Sequence, residues 1–417
     1  MPLDAISDTN ETAPATASFF PTGETFDVVV VGGGPCGATA ATDLANKGHS
    51  VLLLDRAGRI KPCGGAIPPR LIRDFDIPQS LLCARISSAR MVAPSNRAVD
   101  MPIDNGYVGM VDRDVFDEWL RNRSEERGTT RRTGTFASLA RDPDGTAIVQ
   151  YRTKTGESQS VRARAIIGAD GARSAVGKQA VPGAEDVRCV FAYHEIIEAP
   201  DGAAGEAFDP ERCDVYYQGQ LSPDFYAWIF PHGRTASIGV GSMVKGFPLR
   251  KAVADLRLKV GLEESRLVRH EGAPIPLKPL KKWDNGRDVL LAGDAAGVVA
   301  PSSGEGIYYA MACGRAAADS IAAFLATGDA TALASARKTF LKAHGRVFWI
   351  LGLMQHFWYS SDKRRERFVS ICDDADVQKL TWDAYMNKEL VRKKPMAHVR
   401  IFFKDLAHLF GLVAPSR

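Results

Sequence analysis

The clearest pattern in the chain is a pair of short apolar runs separated by a helical stretch. Val28 to Val31 and Val51 to Leu54 each contain only apolar residues, which is typical of strands buried on both faces of a parallel sheet. Between them, Ala38 to Lys47 has the small residues of a close-packed helix, and Gly48 ends it. The pattern predicts a β–α–β unit.

The turn between the first strand and this helix contains Gly32-x-Gly34-x-x-Gly37. In such a turn the first glycine allows a tight bend, the second lets a pyrophosphate approach the backbone, and the third lets helix and strand pack closely. The helix amino terminus then offers unpaired N–H groups to the phosphates. Asp55 ends the second strand, where a carboxylate accepts hydrogen bonds from a ribose at about 1.5–3 kcal/mol each. Together these residues predict a dinucleotide cofactor.

Two further groups of strands follow along the chain. Residues 134–169 alternate like a small meander, and a second strand-rich block runs from about residue 188 to residue 243. The segment 112–123, which precedes both groups, predicts a helix whose apolar face contains Val115, Phe116, Trp119 and Leu120. From Gly306 to the end the pattern is helical.

Buried strands at 165–169 and 289–292 each run into a glycine–aspartate corner, far from the first unit. The cofactor domain is therefore predicted to be discontinuous, with a strand-rich domain inserted into it. The predicted division is an extension without structure at 1–25, a cofactor domain at 26–180 plus 281–325, a sheet-rich substrate domain at 181–280, and a helical region at 326–417.

Composition narrows the class of protein. The chain has 417 residues, 45% hydrophobic, and its net charge of +4 is too small and too evenly spread to predict nucleic-acid binding. Its seven cysteines are scattered without a metal-type pair, so we expect no metal site, and reduced thiols in a cytoplasm. Residues 1–25 lack a basic start and an apolar core, and the longest apolar stretch, 347–359, is shorter than the about 20 residues that span a bilayer.

Three more features carry a resemblance to a known fold. They are Arg113 at the start of the predicted helix, the segment 166–174 with Asp170-Gly171, and the segment 290–297 with Gly293-Asp294. With the amino-terminal unit, they resemble the aromatic-hydroxylase branch of the glutathione-reductase type of flavoprotein. The resemblance implies an α/β fold: a Rossmann-like FAD-binding domain, an inserted antiparallel-sheet substrate domain and a helical carboxyl-terminal region.

Other motifs resemble one family within that branch. The loop Lys61-Pro62-Cys63-Gly64-Gly65-Ala66-Ile67 and the segment 293–307 look like those of geranylgeranyl reductases. So does Tyr226-x-Trp228-x-Phe230-Pro231 followed by Gly239-x-Gly241, a pattern associated there with the prenyl pocket. The resemblance implies a flavin-dependent reductase that converts geranylgeranyl to phytyl, on a chlorophyll or bacteriochlorophyll precursor or on the free diphosphate.

The resemblance also implies site residues. FAD contacts would come from Gly32, Gly34, Cys36, Gly37, Asp55, Cys63, Gly64, Ala66, Arg113, Asp170, Gly293, Asp294, Gly306 and Ile307. The prenyl chain would lie against Tyr226, Trp228 and Phe230, although a plain core face explains these aromatics too. A proton donor is not assigned: Cys63 is a candidate, and an inert buried cysteine explains it as well.

The resemblance also implies an electron donor for the flavin. The resemblance implies NADPH, which would visit the flavin transiently because the sequence has no second glycine-rich dinucleotide unit; a ferredoxin-type donor stays open.

Near the carboxyl terminus, apolar residues recur at helical spacing after a basic run, at Val399, Phe402, Phe403, Leu406, Phe410 and Val413. Such a helix suits either a membrane interface or a domain core. Peripheral attachment to a photosynthetic membrane is one prediction.

Three other functions fit parts of this pattern. An aromatic hydroxylase or epoxidase would use the same fold, although Gly297 stands where hydroxylases usually carry a histidine. A reductase of archaeal-type geranylgeranyl lipids would use the same chemistry on another substrate. A prenyl-lipid carrier would keep flavin only for structure.

Overall fold

A computed structural model of the chain describes residues 20–56, 58, 60–104, 106–200 and 208–388. Its strands are β1 (Phe20–Val31), β2 (Val51–Asp55), β3 (Ala66–Ile67), β4 (Leu82–Ile86), β5 (Ser88–Val92), β6 (Ala98–Pro102), β7 (Val108–Val111), β8 (Thr130–Arg141), β9 (Ala147–Thr153), β10 (Ser158–Gly168), β11 (Cys189–Glu198), β12 (Arg212–Tyr216), β13 (Ala227–His232), β14 (Thr235–Ser242), β15 (Leu267–Pro276) and β16 (Val289–Leu291). Its helices are α1 (Pro35–Asn46), α2 (Pro69–Asp74), α3 (Arg113–Glu126), α4 (Ala175–Ala180), α5 (Leu249–Lys259), α6 (Ile307–Thr327), α7 (Ser335–Trp358), α8 (Asp362–Ile371) and α9 (Ala375–Asn387).

The first sheet carries the predicted nucleotide unit. Its strands β8, β2, β1, β10 and β16 run parallel in that order, and β9 pairs antiparallel with both β8 and β10. The side chains of 28–31 and 51–54 are almost wholly buried, as expected for strands covered on both faces. Helix α1 packs on this sheet and against α3 and α6. The β–α–β prediction is confirmed.

The second sheet has the order β15, β11, β14, β13, β12, β5 and β6, antiparallel except between β12 and β5. Alternation along β13 separates its two faces. Trp228 and Phe230 join Tyr226, the residue before the strand, in one apolar cluster with Trp358 of α7, while Ala227 and Ile229 pack on the other face with α5. The predicted common face of the three aromatics is confirmed.

The division between the two domains differs from the prediction in one place. Strands β5 and β6, within the segment 26–180 assigned to the cofactor domain, belong to the second sheet. Strands β3, β7 and β4 form a third, small sheet beside them. The cause is long-range pairing: β5 lies parallel to β12, more than a hundred residues later, and local patterns carry no information about that partner.

Two local predictions are corrected. Strand β1 begins at Phe20, so residues 20–25 belong to a strand rather than to the predicted structureless extension, and residues 1–19 lie outside the described part. On α3, Val115 is 55% exposed, because the buried face of that helix is centred on Phe116 and Leu120. Adjacent helical residues point about 100° apart, so Val115 and Phe116 do not share a narrow face.

The last four helices pack mainly on other helices, and α6 and α8 also contact strands of the two sheets. Helix α6 packs on α1 and α7, α8 contacts α7 and β6, and α9 contacts α2. The predicted amphipathic segment from Arg392 to Arg417 lies outside the described residues. Among the residues that are described, no helix combines the length and the apolar character needed to cross a membrane.

Candidate functional site

One cavity of about 1100 Å³ joins the nucleotide unit to the aromatic face of the second sheet. Most of the predicted site residues line it: Gly32, Gly34, Cys36, Asp55, Cys63, Gly64, Arg113, Asp170, Tyr226, Trp228, Phe230, Asp294, Gly306 and Ile307. Three predicted residues, Gly37, Ala66 and Gly293, lie behind this surface. The structure therefore places both predicted half-sites on a single continuous space.

The three glycines of the first turn have different surroundings. A Cβ on Gly32, whose φ is +106°, would lie 2.3 Å from the carbonyl oxygen of Ala169, and one on Gly37 would lie 1.8 Å from that of Gly32. A Cβ on Gly34 would meet nothing within 4 Å. Gly32 and Gly37 thus serve the packing of β1, β10 and α1, whereas Gly34 faces the open cavity, and its contact with a phosphate stays a prediction.

Asp55 ends β2 at the edge of this space. One of its carboxylate oxygens accepts a hydrogen bond from the Gly33 backbone N–H at 2.7 Å, and Arg121 donates to the Gly33 carbonyl at 3.1 Å. These bonds hold the glycine turn against β2 and fix the direction of the Asp55 carboxylate. Its role towards a ribose stays a prediction, supported by its place on the cavity wall.

Asp294 lies in the short turn after β16 and forms an ion pair with Lys61 of the proline–cysteine–glycine loop. Its side chain is only 8% exposed, so a buried carboxylate faces the cavity close to the start of α1. Gly293 before it has a φ of +63°, and a Cβ there would lie 2.8 Å from that of Cys36. Gly293 therefore acts through packing on α1 rather than through the cavity surface.

Cys36 is held on the interior side of α1. A hydrogen bond with Cys313 and burial raise the pKa of the Cys36 thiol well above its ordinary value. Cys313 also accepts a hydrogen bond from the Gly293 N–H at 3.3 Å. Cys36 is consequently a neutral thiol at physiological pH, and it joins α1, α6 and the Asp294 turn at the base of the cavity.

Arg113 supplies a permanent positive charge to the cavity wall. Arg113 is buried and donates two hydrogen bonds of 2.7 Å to the carboxylate of Asp117, one turn later on α3. Burial alone lowers the pKa of this guanidinium, but the neighbouring Asp117 and Cys63 raise it far above its ordinary value. The Arg113 guanidinium therefore stays positively charged at every pH at which the protein is folded.

The loop from Lys61 to Gly65 packs tightly between the FAD-binding domain and the second sheet. A Cβ on Gly64 would lie 2.7 Å from the Phe230 ring, and one on Gly65, whose φ is +73°, would lie 2.5 Å from the Val111 carbonyl oxygen. No larger residue fits at either position without moving the loop. Ala66 follows in β3, where it pairs with Met110, so it supports the loop from behind.

Asp170 lines the cavity, but its carboxylate is already engaged. It accepts hydrogen bonds from the backbone N–H groups of Ala175 and Val176 at 2.6 and 3.2 Å, and from the hydroxyl of Ser174. Burial raises the pKa of Asp170, and these donors offset part of that rise. The aspartate thus caps the start of α4, which shapes the turn beside the cavity.

The aromatic wall is held by specific contacts. Trp228 donates from its indole nitrogen to the Ser237 hydroxyl at 3.1 Å, and Tyr226 donates to the Ser303 carbonyl at 2.6 Å. A Cβ on Gly239 would lie 2.1 Å from the Trp228 ring. The Gly239-x-Gly241 pattern therefore has a physical cause: Gly239 leaves room for the Trp228 ring, and Gly241 leaves room for the Phe225 ring.

A buried ion pair lies behind the Gly306 end of the cavity. Lys388, just after α9, binds Glu305, and its nitrogen lies 3.8 Å from the centre of the Tyr385 ring. Burial raises the pKa of Glu305 and lowers that of Lys388, while each charge favours the ionised form of the other. Sequence reasoning missed this pair, because Lys388 lies 83 residues after Glu305 and no local pattern connects them.

Comparisons with known proteins place this site in a class. The family model described as pyridine nucleotide-disulphide oxidoreductase matches residues 26–199. A crystal structure described as geranylgeranyl bacteriochlorophyll reductase-like, from Thermoplasma acidophilum, has a TM-score of 0.76 at 22% identity and covers 90% of this chain and 99% of its own. The fold and the site define a flavoprotein oxidoreductase with a Rossmann-like FAD-binding domain, as the sequence predicted.

Proteins similar in sequence show the family to which this chain belongs. A geranylgeranyl diphosphate reductase of Rhodobacter capsulatus is 57% identical, covering 94% of this chain and 99% of its own. The chloroplastic enzyme of that name in Oryza sativa is 35% identical over 97% and 90%, and a digeranylgeranylglycerophospholipid reductase of Methanopyrus kandleri is 30% identical over 92% and 99%. The chain belongs to the geranylgeranyl diphosphate reductase family, which confirms the predicted resemblance.

Proposed function

We propose that this protein uses FAD to saturate isolated double bonds of a geranylgeranyl chain, converting it to phytyl on a (bacterio)chlorophyll precursor or on geranylgeranyl diphosphate. The single observation that carries the proposal is the continuous cavity, which leads from the phosphate cradle at Gly34 to the buried wall of Tyr226, Trp228 and Phe230. The similarity to enzymes named for this diphosphate supports the substrate.

The residues of the cavity fit FAD. The gap at Gly34 suits a pyrophosphate at the α1 amino terminus, and the Asp55 and Asp294 carboxylates suit hydroxyl groups at the two ends of the cofactor. The fixed charge of Arg113 lies beside the Cys63 loop, where it suits a reduced, anionic ring system. When bound and reduced by the electron donor, FAD would supply a hydride to one carbon of the alkene.

The protein's own residues position the chain and exclude water. An isolated alkene reacts only when it is held within about 3–3.5 Å of the hydride donor, so positioning matters more than polar recognition. Burying a twenty-carbon chain at roughly 0.8 kcal/mol per CH2 contributes on the order of 10 kcal/mol. The other alkene carbon takes a proton, and Cys63 on the cavity wall is the candidate donor.

The electron donor in this proposal is NADPH. The sequence has no second glycine-rich dinucleotide unit, so the donor must reach the flavin through the cavity itself. Arg173 and Arg250 line its rim, stacked over the rings of Phe191 and Tyr193, and they suit the phosphates of a dinucleotide.

One anaerobic assay tests the reaction. The FAD-loaded protein is incubated with NADPH and either geranylgeranyl diphosphate or geranylgeranylated pigment, and the product is followed by mass. We expect stepwise gains of two hydrogens, with a faster reaction on the preferred carrier. Reduced ferredoxin replaces NADPH in a parallel arm. If the same mixture, repeated in air, gave a product with one added oxygen atom, the protein would be a hydroxylase. If the prenyl chain stayed unchanged, the protein would act as a prenyl-lipid carrier.

We also propose that the protein lies in the cytoplasm and touches the photosynthetic membrane with the rim of the cavity. Phe191 lines the cavity and is 43% exposed, and it pairs with Ser242, the residue before Met243 and Val244, which are 43% and 50% exposed. The exposed Lys245, next to Val244 in the chain, adds positive charge beside them. Apolar side chains with basic neighbours suit an anionic bilayer surface.

Flotation with anionic vesicles tests this contact. We expect the double change Phe191→Ser and Val244→Ser to reduce bound protein several-fold, whereas Leu258→Ser, at a 65% exposed position near the end of α5, leaves it unchanged. A chain lacking residues 392–417 is compared in parallel. Loss of binding only in that truncated chain would assign the membrane contact to the predicted carboxyl-terminal helix instead.

A further inference from the structure

A buried histidine connects the two domains directly beneath the cavity loop. His232 is the last residue of β13, and its side chain is 3% exposed. Its Nδ1 lies 2.8 Å from a carboxylate oxygen of Asp112, and its Nε2 lies 3.0 Å from the carbonyl oxygen of Gly64. The two ring nitrogens thus bind two different segments.

The chemistry of these partners determines the charge of the ring. A backbone carbonyl only accepts hydrogen bonds, and so does an ionised carboxylate. Both ring nitrogens must therefore carry a proton, which makes His232 an imidazolium; a neutral ring would lose one of the two bonds. Asp112 provides the matching charge.

The charged and titratable groups around the ring agree with this state. Asp112 faces it from the start of α3 and Cys83 from β4, while Arg269 of β15 acts on Asp112. Burial alone lowers the pKa of His232, but Asp112 and Cys83 raise it to about 10. The ring is consequently charged throughout the physiological range.

Each segment that the ring holds is part of the cavity wall. Gly64 lies between Cys63 and Gly65, and a Cβ on Gly65 would lie 2.7 Å from the His232 ring. Asp112 precedes Arg113, whose guanidinium faces Cys63. Strand β13 itself carries the aromatic wall.

We propose that His232 is a positioning residue: its imidazolium fixes the Cys63 loop and Arg113 in register with the aromatic wall, and so sets the distance between flavin and prenyl chain. This role rests on the proposed function. A metal ion on Cys83, Asp112 and His232, whose ligand atoms lie within 4.8 Å of one another, is the competing use of the same cluster. Such an ion would have to displace the proton between His232 and Asp112.

The charge is tested first, on the unaltered protein. With nitrogen-15-labelled histidine, we expect both His232 nitrogens to stay protonated from pH 6.5 to above pH 8 and to titrate at a pH of about 10. Added zinc should leave these signals unchanged. A neutral ring at pH 8, or a signal that shifts with zinc at equimolar concentration, would overturn the proposal.

The positioning role is tested with His232→Gln, using His356→Gln at an exposed position of α7 as the control. Mass mapping of alkylated cysteines should show Cys63 reacting several-fold faster in the His232 variant, with or without FAD, and unchanged in the control. We expect kcat to fall on the order of ten- to hundred-fold with a smaller change in KM. Equal Cys63 protection in all three proteins would contradict the role, even if no prenyl substrate is turned over.

The pH dependence of stability gives a readout that simple packing does not. The folded-state pKa of about 10 lies above the value of about 6.5 for unfolded histidine, so the imidazolium stabilises the fold fully below about pH 6.5. That stabilisation is lost as the pH rises through about 10. The Tm difference between the unaltered protein and His232→Gln should therefore narrow over this window. A constant difference would mean that the ring acts only through its volume.

Discussion

Replacing Gly34 with alanine is expected to give a folded protein that does not hold FAD. The backbone of Gly34, with φ −74° and ψ −177°, is one that alanine adopts freely, and its Cβ would meet no protein atom within 4 Å. The added methyl group would instead occupy the space of the pyrophosphate. We expect flavin affinity to fall at least 100-fold, or about 3 kcal/mol, as measured by flavin fluorescence during titration.

Gly37→Ala is the matched comparison for this prediction. Its Cβ would lie 1.8 Å from the Gly32 carbonyl oxygen, so the same methyl group forces α1 away from β1. We expect a lower Tm and little folded protein, because such overpacking typically costs 1–3 kcal/mol or more. If Gly34→Ala bound FAD normally, or if both variants behaved alike, the phosphate cradle would be placed wrongly.

The second large effect is expected at Trp228. Replacing it with leucine removes the centre of the aromatic wall, while the FAD contacts on the first sheet stay intact. We expect kcat/KM for the prenyl substrate to fall about 100-fold, or about 2.7 kcal/mol, through misplacement of the double bond. Steady-state kinetics at full flavin occupancy measures this loss.

Two variants separate this effect from general damage. Trp228→Phe keeps a ring against Gly239 and should retain most of the activity, although it loses the hydrogen bond to Ser237. Trp349→Leu, at a 69% exposed position on α7, should behave like the unaltered protein. Normal turnover by Trp228→Leu would mean that the aromatic cluster is only a core between sheet and helices.

The nucleotide unit could be predicted from sequence because its signals are local. Four buried positions per strand, the spacing of the glycines and the acid at the end of β2 all lie within thirty residues, and each has one structural explanation. The same holds for the aromatic wall, where alternation along β13 alone decides which side chains share a face.

What the sequence did not reveal depends on distant partners. Strand β5 pairs with β12 across the domain boundary, and Lys388 meets Glu305 through the packing of α9, so no window of sequence contains both members of either pair. His232 directly follows the aromatic motif, but its importance appears only when Asp112 and Gly64 are brought against its two nitrogens.

Some predicted site residues also make structural contacts within the protein. Asp170 lines the cavity, yet its carboxylate caps α4. Gly37 and Gly293 are packed closely against neighbouring backbone and side-chain atoms, and their contact with FAD stays a prediction. A motif therefore identifies the segment that reaches the site, while the role of each side chain depends on hydrogen bonds that only the folded chain provides.

The central claim is that one cavity holds the flavin and leads the prenyl chain to its face. Anaerobic single-turnover spectroscopy tests it most directly: protein with bound FAD is reduced, freed of excess donor and mixed with geranylgeranyl diphosphate or the pigment. The account predicts that the flavin re-oxidises without oxygen, one product bond saturated per flavin, and far more slowly in Trp228→Leu. A colourless protein that cannot be loaded with FAD, or a reduced flavin that persists with both substrates, would contradict it.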